Sequence, residues 1–374
     1  MKNVITIKAF TTGRYWIAKC LALSFVCGLL FSYAPSVIVH RNVELPPAYA
    51  LKAKHPFADT SQLTEPAHEG ERLHGAKLTP RITGSIFLWL SNREGLHPYL
   101  PATLFGFIYL VSGVITAYKI TGDRESGCLM GLLFAGLYAS SACFSINWMP
   151  KPFDGIALGL LGLSAVFRNM SYALLPICFL ACWTDERVIQ GVFLLAVLFQ
   201  AWPEADRNSR LRPIFVMLTS VLLYVLTRLL LAVVLRWHSP DGNLMSPTLK
   251  LAISFAQLSA WSSFEGGWLL IGIALSVLVR ERLYFQLIIL LISAVFSITA
   301  SLIVLDTSRV GAFSFPLILA AVAHLQRAHL DRSQIRLIIG IGAALSLLAP
   351  NHEIIAGMAV KWLPPYIVYV LLSQ

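Results

Sequence analysis

Asp59, in the segment HPFADT, is a candidate general base. A carboxylate there could take a proton from an acceptor hydroxyl. The alternative is a solvated or helix-capping aspartate. Three further carboxylates, Glu65, Glu69 and Glu71, follow in the same polar stretch and compete with Asp59 for the role.

Three later segments place acidic and basic residues beside apolar runs. Asp154 precedes an apolar run in PFDGIALGLLGLSAVF, where it either binds a ligand or lies favourably in the dipole of a helix N-terminus. In CWTDERVI, Asp185 and Glu186 either pair with Arg187 in an ordinary turn or reach a cavity below the membrane surface.

In VLDTSRVGAF, Asp306 and Arg309 either pair locally or serve a ligand, since a guanidinium offers two donors to a phosphate. Arg72 and Arg81, near the acidic stretch, are further candidates for substrate binding. Arg228, inside YVLTRLLLAVV, could snorkel or pair within a bundle, and no role is assigned to it.

The composition says what kind of protein must position these residues. The 374 residues are 57% hydrophobic and only 13% charged, and the mean hydropathy is +0.70. A soluble domain carries about a quarter charged residues. The net charge of +10 is spread along the edges of apolar runs, which indicates membrane topology and not nucleic-acid binding. The sequence therefore predicts one transmembrane domain over residues 1–374.

The fold class predicted is all-α, a polytopic transmembrane helical bundle of about twelve helices, with ten to fourteen as the range. The apolar runs lie near 16–39, 98–119, 127–147, 155–168, 171–184, 188–202, 213–236, 266–279, 283–305, 310–326, 337–349 and 354–373. Several are too short to cross a bilayer alone, so neighbouring helices must cover them. Pro35, after a small-x-small site, predicts that the first run is retained as an anchor.

Lysine and arginine set the predicted orientation. With the N-terminus in the cytoplasm, the inner side receives Lys119, Arg124, Arg168 and most later arginines, and the short outer loops receive few. The C-terminus is then also cytoplasmic. This places Asp59, Asp154, Asp185, Glu186, Asp306 and Arg309 on the outer face, which predicts an outward-facing site.

The segment between the first two full spans, residues 40–97, is predicted to be an extracytoplasmic loop with short amphipathic helices. Thr64-Glu65-Pro66 has the signals of a helix start, with a polar helix running to about Lys77. RITGSIFLWLSN, residues 81–92, is apolar but too short to span, so we expect it to lie in the interface.

A first helix, a large outer loop with an early Asp, and then many spans with polar residues on the outer side resemble the integral membrane glycosyltransferases of the GT-C superfamily. The segments PFDGIALGLLGLSAVF, CWTDERVI and DTSRVGAFSFPLILAA look like those of uncharacterised bacterial members. The resemblance maps the catalytic carboxylate of the first outer loop onto Asp59. It identifies no cofactor, and it leaves open whether a divalent metal ion takes part.

The resemblance implies transfer of a sugar from a polyprenyl-phosphate donor to a glycan, lipid-linked or protein acceptor, with inversion. The enzyme would lie in the bacterial inner membrane, with its active site facing outward and membrane lipids as neighbours. Arginines would offset the charge of the departing phosphate. The chain has no P-loop and no other soluble nucleotide-binding motif, and nucleic acid is not an expected partner.

Three other functions remain open at this stage. A transporter or flippase for a lipid-linked solute would be indicated by paired broken helices. A polysaccharide polymerase or ligase of the cell envelope would share the outer-face arginines. A non-catalytic subunit of an envelope complex would also fit this sequence.

Overall fold

The computed structural model describes residues 7–35, 37, 45, 47–60, 79–144, 152–203, 206–235, 255–303, 307–355 and 359–372. The first half of the chain forms α1 Lys8–Thr11, α2 Trp16–Phe31, α3 Pro47–Lys54, α4 Ile82–Arg93, α5 Leu100–Thr121, α6 Arg124–Gly136, α7 Tyr138–Phe144, α8 Pro152–Val166 and α9 Ser171–Thr184. The second half forms α10 Val188–Ala201, α11 Arg207–Val234, α12 Ala256–Phe264, α13 Gly267–Arg280, α14 Tyr284–Ile303, α15 Thr307–Ala312, α16 Phe315–Arg327, α17 Arg332–Leu348, β1 Asn351–Ile355, β2 Ala359–Leu363 and α18 Tyr366–Leu372.

The described chain is largely helical, which supports the all-α prediction, and one two-stranded hairpin lies near its C-terminal end. The expected span at 354–373 is wrong. Strands β1 and β2 pair antiparallel there, with Asn351 opposite Leu363 and Ile355 opposite Ala359, and only the short helix α18 follows. The run contains several β-branched residues and a Pro-Pro pair, which favour a strand and end it before α18. Apolar content alone does not separate the two structures.

Four helices among the described residues are long and apolar enough to cross a membrane: Leu100–Thr121, Asn208–Val234, Tyr284–Leu302 and Ser308–Arg327. Two more candidates are bent pairs, with α6 and α7 at 69° and α12 and α13 at 85°. Helices α2, α8, α9 and α10 are apolar but shorter. The described part of the chain thus contains four to six candidate spans, fewer than the bundle of about twelve that the apolar runs predict.

Close packing of α5 against α8 fixes the position of Asp154. A Cβ atom at Gly155 would lie 2.7 Å from the carbonyl oxygen of Ala102, and one at Gly159 would lie 2.4 Å from that of Phe105. The small residues at this spacing therefore let the two backbones approach closely. Asp154, one residue before Gly155, is held where the N-terminal end of α8 meets the rest of the bundle.

The ends of several helices meet at two places. At one end the Lys119 ammonium group donates to the carbonyl oxygen of Val166, which joins the C-terminal ends of α5 and α8. At the other end lie the start of α8, the turn between α9 and α10, and the start of α4. The predicted short helix at 81–92 is present as α4 and packs against α3. The predicted helix from Thr64 to Lys77 lies outside the described residues.

Candidate functional site

Six charged side chains from four separate segments form one buried group, called here the six-residue network. Its members are Arg81, Asp154, Asp185, Glu186, Arg187 and Arg309. They come from the residue before α4, the first turn of α8, the turn between α9 and α10, and the short helix α15. The chain therefore brings together five of the residues that the sequence analysis selects, together with Arg187.

Asp154 is the centre of one half of the network. Its carboxylate accepts from Nε and Nη2 of Arg309 at 2.6 and 2.7 Å, and from Nη2 of Arg187 at 2.9 Å. The side chain of Asp154 is 1% exposed and that of Arg309 is 5% exposed. Arg309 therefore uses the two-donor edge that could serve a phosphate to hold a carboxylate 155 residues away in the sequence.

Arg81 is the centre of the other half. Its Nη1 lies 3.0 Å from Oδ2 of Asp185, and its Nε and Nη2 donate to the Glu186 carboxylate at 3.2 and 2.9 Å. Arg187 closes the group, because it donates to Asp185 as well as to Asp154. Within the turn, Arg187 therefore pairs with Asp185. The turn also pairs with two distant segments, through Asp154 and Arg81.

The three guanidinium groups neutralise the charge of the three carboxylates. This pairing offsets the cost of burying ionised side chains away from water. Burial alone would raise the pKa of Asp185, but Arg187 and Arg81 hold that pKa below its ordinary value. Glu186 is the most open member, with its side chain 34% exposed. Its pairing with Arg81 is therefore the contact that water or a ligand reaches most easily.

Tyr49 connects the network to the loop region. Its ring lies 5.3 Å from that of Phe153, the residue before Asp154, in an edge-on arrangement. Burial raises the pKa of the Tyr49 hydroxyl to about 12, although the nearby Arg309 and Arg81 act in the opposite direction. A neutral hydroxyl is thus held beside the arginines at neutral pH.

Asp59, the predicted base, belongs to a second polar group, which includes Lys52 of α3 and Thr79. Its Oδ1 accepts from the Thr79 hydroxyl at 3.0 Å, and that hydroxyl also accepts from the backbone N–H of Thr60 at 3.1 Å. Lys52 is fully buried and donates to the carbonyl oxygens of Thr79 and Pro56. Burial lowers the pKa of Lys52 to about 8, and the charge of Asp59 acts against that decrease. Asp59 itself is half-buried, so its carboxylate is both oriented and reachable.

Several predicted site residues lie outside the described residues: Arg72, Asp306, Glu65, Glu69 and Glu71. The sequence predicts no site role for Arg187, Lys52 or Tyr49. Arg187 could have been found, since it lies between Glu186 and an apolar helix and cannot easily reach water. Lys52 and Tyr49, in PAYALKAK, give no periodic signal, because they also contact distant residues, Thr79 and Phe153 respectively.

A third polar group lies where the two bent helix pairs break. The backbone N–H of Tyr138, at the start of α7, donates to Oε1 of Glu265 at 3.0 Å, and its hydroxyl donates to Glu353 at 3.3 Å. Asn351 donates to Ser141 at 2.9 Å, and with its amide swapped it donates instead to Glu265 at 2.8 Å. Glu265 has a positive φ of 45° and precedes Gly266, where a Cβ would meet Gly342 O at 1.9 Å. The break is therefore tightly packed and strained.

A cavity of about 840 Å³ lies at the opposite end of the molecule from the six-residue network. It is bounded by the C-terminal end of α8 and the N-terminal ends of α9 and α11, and its lining includes Lys119, Arg168, Trp202 and Arg212. Helix α8 separates the two places by its whole length, about 22 Å. This cavity and the six-residue network are therefore different sites.

Within the described ranges, no group of three or more histidine, cysteine, aspartate or glutamate side chains is arranged to hold a metal ion. The carboxylates of the six-residue network are paired with arginines. No family model matches the chain, and neither a curated protein nor a solved structure is similar to it. The assignment of function consequently depends on the residues themselves.

Proposed function

We propose that the chain is a membrane glycosyltransferase of the GT-C kind, which transfers a sugar from a polyprenyl-phosphate donor to an acceptor on the extracytoplasmic face. The observation that supports this most is the convergence of Arg81, Arg187 and Arg309 at the end of the bundle beside the loop that carries Asp59. A polytopic bundle, a cytoplasmic N-terminus and the inner-membrane location are parts of the same proposal. The predicted cytoplasmic C-terminus is not, because it depends on the span at 354–373 that the hairpin replaces.

The chemistry follows from what each group can do. The acceptor hydroxyl attacks the anomeric carbon while Asp59 takes its proton, and the bond from that carbon to the phosphate oxygen breaks. The phosphate leaves with the electron pair and carries added negative charge. Attack opposite to the leaving group inverts the anomeric centre.

Arg81 is the arginine best placed to meet that charge. Its partner Glu186 is the most exposed carboxylate of the network, so it can turn toward water and release Nε and Nη2 of Arg81. Arg309, held by buried Asp154, would act at longer range or by exchanging one contact. Guanidinium groups placed before the reaction stabilise charge that develops in the transition state.

The test is transfer by the purified full-length protein from a radiolabelled polyprenyl-phosphate sugar to a lipid or glycan acceptor. Asp59→Asn keeps the size of the side chain but removes the proton acceptor, and it should lower the rate about 10²–10⁴-fold. The matched control is Glu94→Gln, the same chemical change at a side chain that is 65% exposed. The control should react like the natural chain. Normal turnover by Asp59→Asn would remove Asp59 from the mechanism.

A second candidate function is transport of a lipid-linked solute, and the bent helix pairs favour it. Breaks in two spans meet at Glu265 and Tyr138, and half-helix ends that face one another are how many transporters build a substrate site. In vesicles, a fluorescent polyprenyl-phosphate sugar that changes leaflet with no covalent product would support transport and contradict the enzyme.

A further inference from the structure

Arg228 is a half-buried cation on the long helix α11, one turn after buried Tyr224 and next to the exposed apolar face of that helix. Only 17% of the apolar stretch of this helix is buried within the protein. The neighbours Leu226, Leu229 and Leu230 are 53%, 59% and 61% exposed. Within the described part of the chain, the hydrogen-bond partner of the guanidinium is the Tyr224 hydroxyl, with the Tyr224 ring 5.7 Å from the guanidinium carbon, and no carboxylate pairs with it. Such a charge in a lipid-facing surface is costly unless an anion reaches it.

The surroundings of Arg228 place it level with the turn that carries Asp185 and Glu186. Tyr224, one helical turn before Arg228, packs edge-on against Trp183 with ring centres 5.2 Å apart. Trp183 is two residues before Asp185, at the end of α9. Arg228 therefore lies where a short helix ends beside a long one, with exposed leucines next to it.

We infer that Arg228 and Tyr224 form a binding site for the phosphate of a net-anionic membrane lipid, of the phosphatidylglycerol class. The guanidinium fork matches phosphate oxygens, and the exposed leucines on either side offer apolar contact to the acyl chains. A zwitterionic lipid brings its own ammonium group and leaves the charge of Arg228 uncompensated. The site is independent of the proposed transfer reaction, since it requires only that α11 face the lipid.

The test measures lipid retained by the full-length protein, taken from equal mixtures of phosphatidylglycerol and phosphatidylcholine, by native mass spectrometry. The natural chain should retain the anionic lipid in preference. Arg228→Met should reduce that retention about fivefold, the effect of one basic residue near a lipid surface, and leave phosphatidylcholine unchanged. Arg228→Lys keeps the charge but not the fork and should retain part of the preference.

The matched control is Arg280→Gln, because Arg280 is exposed and pairs with Glu281 in the following turn. It should retain lipid like the natural chain. Tyr224→Phe removes only the hydroxyl and gives a second measurement if Arg228→Met does not fold. Inorganic phosphate at millimolar concentration should not displace the lipid, since the acyl contacts are absent from it.

Two results would overturn the inference. One is unchanged phosphatidylglycerol retention in Arg228→Met together with unchanged retention in Tyr224→Phe. The other is equal retention of the two lipids by the natural chain, which would mean that Arg228 only snorkels to water.

Discussion

Two arginine–carboxylate groups at opposite ends of the molecule use the same chemistry in different surroundings. In the six-residue network, Arg309 forms an ion pair with Asp154, and both side chains are at most 5% exposed. At the other end, Arg336 donates to Asp123 with the same two-donor geometry, at 2.8 and 2.7 Å, and forms an ion pair with Glu125 at 2.9 Å. The side chain of Arg336, however, is 35% exposed. Water can replace a partner at the second group and not at the first. The comparison indicates that burial, and not the number of contacts, decides how much each pair matters.

The largest expected effect is at Asp154. Asp154→Asn leaves Arg187 and Arg309 with an uncharged partner in a dry place, and breaking a buried pair on one side costs about 3–5 kcal/mol. The free energy of unfolding, measured by denaturant titration in detergent, should fall by that amount. A loss below about 1 kcal/mol would mean that water enters the network, and the contrast between the two ends would disappear.

The parts of this arrangement that the sequence predicts are those with local signals. Helix α4 follows from the apolar run at 81–92, and the gathering of Arg81, Asp154, Asp185, Glu186 and Arg309 at one end follows from alternating the spans by their basic residues. The pairing itself does not follow. Asp154 and Arg309 are 155 residues apart, and a local partner such as Asp306 is equally consistent with the sequence.

The errors have physical causes as well. Hydropathy counts apolar residues but does not see where a helix bends, so the span at 127–147 divides into α6 and α7 at 69°. The bend at Glu265 depends on a close approach to Gly342, which no local pattern reports. The hairpin of β1 and β2 replaces a predicted span because strand and helix runs of this length look alike.

A smaller effect is expected at Asp123, the counterpart of Asp154. Asp123 caps α6 by accepting from the backbone N–H and hydroxyl of Ser126, at 2.8 and 2.7 Å, and it pairs with half-exposed Arg336. Loss of a cap costs about 1 kcal/mol and loss of an exposed pair up to about 1 kcal/mol. Asp123→Ala, which removes both the cap and the pair, should therefore lower the free energy of unfolding by about 1–2 kcal/mol in the same titration. A loss equal to that of Asp154→Asn would show that exposure does not separate the two groups.

The smallest effect concerns Lys52, a buried cation near the six-residue network, and it is measured by changing the pH. Lys52 is fully buried among carbonyl oxygens, and its pKa in the folded chain is about 8 against an ordinary 10.5. The unfolded chain therefore binds more protons between these values, and stability rises with pH across that window. Below pH 8 both states are protonated and the gain is absent.

Between pH 8 and pH 9 the expected gain in the free energy of unfolding is about 1 kcal/mol. It should be missing in Lys52→Met. Arg336→Met should keep it, because an arginine stays charged throughout this range whether or not it is paired. The measurement is the difference between the pH profiles of the natural chain and each variant, which cancels the titration of other groups. A profile of Lys52→Met parallel to that of the natural chain would mean that water reaches Lys52 as it reaches Arg336, and that the loop side of the network is open.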